Sequence, residues 1–189
     1  MRIHLSAIIF FFCAVSANAQ MNKAFLNDTG GQMDSLHATE YIMYDQVSDT
    51  AWVMKLYKMN GSIIQIGTYK DKKLSIPNGK FTYYSIASSK SSMAKKGLID
   101  TLNRIRKTGY FVNGIKCGVW TDYINGGKVR SQSIFKNGKL NGLFKGYYFI
   151  IDSVCTQGNY VDDKKEDEWD SFDTFGNILF VDIYKDDKI

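Results

Sequence analysis

Large apolar side chains recur along the second half of the chain at a fixed interval. Phe111, Phe135, Tyr160 and Tyr184 fall in one column, with spacings of 24, 25 and 24 residues. Two residues after each come Asn113-Gly114, Asn137-Gly138, Asp162-Asp163 and Asp186-Asp187. Seven residues on stand Gly118, Gly142 and Asp167. Nine on stand Trp120, Phe144 and Trp169, and twelve on Tyr123, Tyr147 and Phe172. Eight residues before the anchors lie Asn103, Gly127, Asp152 and Gly176, each followed two residues later by Ile105, Val129, Val154 or Ile178. The same grammar runs backwards through Gly61, Ile63 and Tyr69. After a three-residue insertion it reaches Gly79, Phe81 and Tyr84. Agreement over so many columns marks an internal repeat.

The residue types say what the repeat builds. Asn-Gly favours a tight hairpin turn, because a type I′ turn needs positive φ at both central residues. Asp-Asp and Gly126-Gly127 belong to the same turn class. Turns fall about every twelve residues, and aromatic and β-branched residues fill the segments between them. The expected fold is therefore all-β: an elongated antiparallel β-hairpin meander, a single-layer repeat sheet of about nine to eleven strands. Neighbouring strands lie roughly 4.8 Å apart, so the sheet should extend about 45 Å along its stacking direction. Columns nine and twelve are an odd number of residues apart. Either both faces carry aromatics or a bulge intervenes.

Phe111-x-Asn-Gly-x-x-x-Gly-x-Trp120-x-x-Tyr123 and Phe135-x-Asn-Gly-x-x-x-Gly-x-Phe144-x-x-Tyr147 resemble MORN-variant repeats, of the kind grouped as the YwqK-type antitoxin component family. The resemblance covers residues 61–189. It implies twisted β-hairpin modules and a protein-interaction or membrane-associated role, with a toxin-immunity function as one alternative. Asp167 departs from the glycine column of Gly118 and Gly142.

The flanking segments divide the chain further. Arg2, the apolar run Leu5 to Val15 and Ala17-Asn18-Ala19 make a signal peptide over residues 1–19, with a cut expected between Ala19 and Gln20. That run is about half the roughly 20 residues a spanning helix needs. No later segment is apolar and long enough, so the mature chain is expected to carry no membrane-spanning segment and to be periplasmic or secreted. Cys13 follows Phe10-Phe11-Phe12, unlike a lipid-attachment cysteine. Residues 20–60 form a turn-rich lead-in with capping strands between Tyr41 and Lys58. Ser85 to Ile99 is surplus to the repeat, holds five Ser and three Lys, and reads as an inserted, solvated loop at 85–99. Lys185 to Ile189 are charged and would cap the far end.

Composition narrows the function. Twelve Tyr and twelve Phe against one Pro favour pleated surfaces. The net charge of +5 has no basic block, which speaks against nucleic acid. The mature chain has one histidine, His37, in the irregular lead-in, so a His-based triad or metal site would have to use it. Cys117 and Cys155 sit in different columns and form no CxxC. Three strand steps should hold them about 14 Å apart, beyond the roughly 7 Å of a disulfide. The acidic run Asp162 to Glu168 lacks EF-hand spacing and contains Lys164 and Lys165. Asp170 and Asp173 could be paired on paper as glycosidase carboxylates, although carboxylates are common on hairpin surfaces. No enzyme, no metal and no cofactor are expected.

Trp120, Tyr123, Phe144, Tyr147 and Trp169 are the candidate binding residues. Against that reading, such aromatics commonly form the hydrophobic content of a sheet. The functional expectation is an exported, non-catalytic repeat module that binds a protein or cell-envelope component. A carbohydrate- or cell-wall-binding array is the main alternative, hinted at by Tyr83-Tyr84 and Tyr147-Tyr148.

Overall fold

The computed structural model describes residues 21–27, 29–85, 104–124 and 127–189. The expected signal peptide at 1–19 and almost all of the expected 85–99 insertion lie outside the described residues.

The strands are β1 (Asn22–Leu26), β2 (Gln32–Met33), β3 (Glu40–Ser48), β4 (Ala51–Lys58), β5 (Ile63–Tyr69), β6 (Pro77–Ser85), β7 (Arg104–Val112), β8 (Ile115–Tyr123), β9 (Val129–Lys136), β10 (Lys139–Leu140), β11 (Gly142–Tyr147), β12 (Val154–Val161), β13 (Lys164–Phe172) and β14 (Ile178–Tyr184). All join one antiparallel sheet. Its order runs from β14 back to β3 in sequence, then β1 and β2, with β10 paired only to β9. This is the expected single-layer hairpin meander.

Fourteen strands exceed the expected count for local reasons. The lead-in contributes β1, which pairs along its length with β3, and the two-residue β2 beyond it. Phe25 meets Tyr41 at 6.5 Å, and Lys23 Nζ lies 4.3 Å from the Tyr41 ring centre. Asn141 interrupts another strand, leaving β10 as a two-residue piece beside β11.

The turns follow their residue types. Asn113-Gly114, Asn137-Gly138, Asp162-Asp163 and Asp186-Asp187 all have positive φ at both positions, between 49° and 84°. Their tips also stitch successive hairpins together. The second turn residue donates its N–H to the preceding hairpin: Gly138 to Lys116 at 3.0 Å, Asp163 to Leu140 at 2.9 Å and Asp187 to Lys165 at 3.1 Å. Where that residue is Asp, its carboxylate accepts a return bond. Asp163 Oδ1 takes the Leu140 N–H at 2.7 Å, and Asp187 Oδ1 takes the Lys165 N–H at 2.6 Å.

This exchange explains why Asp replaces Gly in the later turns, despite the steric cost of left-handed backbone for a residue with a Cβ. Asp163→Gly removes the return bond but also relieves the left-handed Cβ, so its net cost should fall below about 1 kcal/mol. Asp163→Ala loses the same bond, keeps the left-handed Cβ and lacks the tolerance of Asp for that region, so it should cost about 1–2 kcal/mol. Urea midpoints of the two variants check the ordering.

A second device recurs along the sheet. Opposite residues Tyr110↔Cys117 and Thr108↔Thr121 leave β8 with two residues more than β7 over that stretch. The same surplus occurs in β13 against β12, between Asn159↔Glu166 and Gln157↔Asp170, and in β6 against β5, between Tyr69↔Pro77 and Gly67↔Phe81. Each bulge contains one left-handed residue: Gly118 (φ 64°), Asp167 (φ 59°) and Gly79 (φ 109°). Asp167 therefore keeps the conformation of its column while losing the glycine.

The two-residue surplus on β8 lies between Cys117 and Thr121, and the later shift between Asp122 and Tyr123 puts its extra residue, Arg130, on β9. β8 itself therefore alternates from Trp120 to Tyr123, and the two columns face opposite ways. Both faces of the sheet carry aromatics.

Candidate functional site: the two aromatic faces

Directly opposed residues in a sheet share a face, so the register assigns the sides. On one face, here the ring face, aromatic rings form two runs. Tyr69, Phe81, Phe111, Trp120 and Phe135 follow one another with ring centres 4.8 to 5.9 Å apart. Phe144, Tyr160, Trp169 and Tyr184 do the same at 5.1 to 6.1 Å. Most of these contacts are edge-to-face, the arrangement favoured by the ring quadrupole.

The rings bury themselves without a second layer because glycines seat them. A Cβ placed on Gly109 would collide with the Trp120 indole, one on Gly158 with Trp169, and one on Gly67 with the Phe81 ring. These glycines stand two residues before the anchors Phe111, Tyr160 and Tyr69, a column that sequence reasoning missed. Its signal was present as Gly67, Gly109, Ser133 and Gly158, all small residues. As a result Phe81 is 1% exposed, Trp120 2% and Trp169 5%.

Lysines cover the rings from above. Lys116 Nζ lies 4.7 Å from the Trp120 ring centre, and Lys165 Nζ lies 4.2 Å from that of Trp169. Burial against these rings, with repulsion from Lys107, lowers the pKa of Lys116, while Asp122 opposes the shift. Lys107 is itself ion-paired with Asp122 at 3.0 Å. Burial pushes the Tyr69 phenol up to about 12, with a smaller contribution from Tyr83.

The five candidate residues thus separate. Trp120, Phe144 and Trp169 lie on the ring face; the two tryptophans are buried and Phe144 is half-buried. Tyr123 and Tyr147 lie on the opposite face, both half-buried. The Tyr147 hydroxyl is 2.9 Å from Gln132 Oε1. Tyr147 lines an open hollow with Lys128, Val129, Gln132 and Asp152, and Tyr123 stands directly opposite Val129. The structure does not gather the five into one surface.

The other candidates are held in structural roles. His37 is exposed, its Nδ1 2.9 Å from Asp34 Oδ1, and that hydrogen bond holds the Asp34 carboxyl below its ordinary value. Asp170 accepts from Gln157 at 3.1 Å, and Asp173 accepts the Phe175 and Asn177 N–H groups of its own turn. Asn177 is also the main cause of a lowered Asp173 pKa. Asp162 and Asp163 are engaged by Asn141 and Leu140. Among the described residues no three His, Cys, Asp or Glu side chains are placed to hold a metal ion. Cys117 and Cys155 are free thiols on β8 and β12, three strand steps apart in the sheet. No helix of the described residues is long and apolar enough to cross a membrane.

The fold defines the class: an open, single-layer antiparallel β-hairpin repeat sheet. No family model matches the chain, and no curated protein matches it. Solved structures with partial likeness include two of TarM. A mutant of S. aureus TarM in complex with fondaparinux, alpha-GlcNAc-glycerol and UDP is 9% identical over 66% of this chain and 21% of that one, at a TM-score of 0.38. A second TarM structure is 10% identical over 66% and 20%, at 0.37. This chain therefore spans about a fifth of TarM, and at these scores the likeness carries no argument about function.

Proposed function

We propose that the protein is an exported, non-catalytic repeat module of MORN-like type that binds a protein or cell-envelope partner over the face carrying Tyr123 and Tyr147. The observation that supports this reading is the division of labour between the faces. The ring face consumes its tryptophans in holding the sheet together, whereas the opposite face leaves Tyr123 and Tyr147 partly open beside Lys128 and Asp152. Repeat architectures bind over extended faces of this kind.

The test uses the exported chain as bait against the envelope fraction of the producing cell, with chemical cross-linking. Tyr123→Ala with Tyr147→Ala should weaken capture of the partner by about 10-fold or more, since interface aromatics often contribute about 1–2 kcal/mol each. His37→Ala should leave capture unchanged. Undiminished capture by the tyrosine variant would refute the assignment of the face, and selective binding on a glycan array would favour the carbohydrate alternative.

A further inference from the structure

The two ends of the sheet are finished differently. At one end β2 is two residues long and covers Phe25 and Leu26 of β1, a short edge of the kind that discourages pairing. At the other end β14 runs seven residues, Ile178-Leu179-Phe180-Val181-Asp182-Ile183-Tyr184, with a neighbour on one side only among the described residues. Five of its residues are exposed large apolars, including Phe180 at 55% and Ile183 at 66%. The charged tail does not cover this edge: it forms a tight turn bridging Lys185 to Lys188 at the strand's end.

Charge distinguishes this end as well. Residues 161–189 hold ten Asp and Glu against four Lys, a net charge of −6, whereas the whole chain carries +5. On β13, Asp170 stands opposite Val181 and Glu168 opposite Ile183, so both carboxylates share a face with those apolar side chains. Together with Gln157, Asn159, Leu143 and Ile183 they line an open hollow one strand in from the edge.

We infer that the free edge of β14 takes up an extended basic segment of a partner protein as a further strand, with lysine or arginine alternating with apolar residues. The inference extends the binding-module reading to a second surface, the sheet's edge, whose carboxylates share the face of Tyr147 but lie two strands further on. Backbone groups of an edge strand supply the pairing, and alternate side chains supply the selection. On the face of Val181 and Ile183, the stem of a partner lysine packs on these aliphatics. Its stem spans only part of the roughly 10 Å to β13, so the ammonium stops over Val181 and Ile183, where the longer Glu168 side chain leans out to meet it and Asp170 adds attraction from further in. On the other face, an apolar partner residue meets Phe180 and Tyr184. A second copy of the chain is the poorer occupant, because edge-to-edge pairing of two β14 strands would bring two ends of net charge −6 together.

The probe is a labelled nine-residue synthetic peptide alternating lysine and valine, titrated into the exported chain at 0.15 M salt and read by fluorescence polarisation. Binding is expected. It should weaken about tenfold or more when alternate peptide nitrogens are methylated, which removes strand pairing but keeps every charge. Val181→Lys should have a similar effect, and Glu168→Gln should reduce both binding and its salt dependence; thermal melts confirm that each variant folds. Tyr123→Ala should leave this binding unchanged, so failure here and failure of the tyrosine face are read separately. Equal binding of the methylated peptide, or no effect of Val181→Lys, overturns the inference. So does sedimentation showing a dimer that Val181→Lys dissolves, since the edge would then belong to a second copy.

Discussion

Gly109→Val should unfold the protein or cost more than about 3 kcal/mol, near or above the upper end for overpacked sites. Gly109 lies beneath the Trp120 indole, and even a single Cβ there would fall well inside van der Waals contact with Cγ, Cδ2 and Cε2 of the ring. Phe111 at 5.2 Å on one side and Phe135 at 5.9 Å on the other block sideways movement of the indole, leaving only a lift away from the sheet. Lifting it would separate rings along the whole run. Val is otherwise a good strand residue, so propensity alone predicts a gain. A melt of Gly109→Val beside Gly61→Val makes the contrast internal: a Cβ added at Gly61 would meet nothing within 4 Å, so only its φ of 84° resists the change. If Gly109→Val retains wild-type stability, ring seating is not what holds this sheet.

Trp120→Ala should cost about 3–5 kcal/mol of stability, the usual range for removing a buried large aromatic. The indole is 2% exposed and touches Tyr83, Phe111 and Phe135, so its loss opens a gap between β7 and β9. Trp120→Phe should cost far less. Trp120 Nε1 is buried without a hydrogen-bond partner, and phenylalanine removes that polar atom while keeping a ring on Gly109. Trp169 differs, because its Nε1 donates to the Asn159 carbonyl at 3.2 Å, so Trp169→Phe loses a bond that Trp120→Phe does not. Denaturant midpoints for these variants separate ring packing from the indole N–H. Any weakening of partner binding in Trp120→Ala would follow from lost structure, since this ring offers almost no surface to a ligand.

Much of the architecture was legible along the chain because it rests on local requirements. Asn113-Gly114 and Asp186-Asp187 announce left-handed turns through their own backbone preferences. The glycine column at Gly118 and Gly142 carries its requirement for positive φ in the same way, and Asp167 satisfies it as one of the few other residues that tolerate it. Period, turn type and strand alternation together specify an antiparallel meander. The separation of Cys117 from Cys155 follows from counting strands.

Other properties depended on what the neighbouring strand places beneath a side chain, and no residue states that by itself. Trp120 and Tyr123 belong to equivalent-looking aromatic columns, yet one is buried over Gly109 and the other is half-open on the reverse face. The difference comes from strand alternation after a two-residue bulge between Cys117 and Thr121 and from a glycine eleven residues before Trp120 on the partner strand. The open edge is likewise a tertiary outcome. Ile178 to Tyr184 reads as an ordinary interior strand, and its apolar residues are exposed because the described sheet provides a neighbour on one side alone. Local backbone preference determined the hairpins; register between strands decided which aromatics hold the sheet and which remain available to a partner.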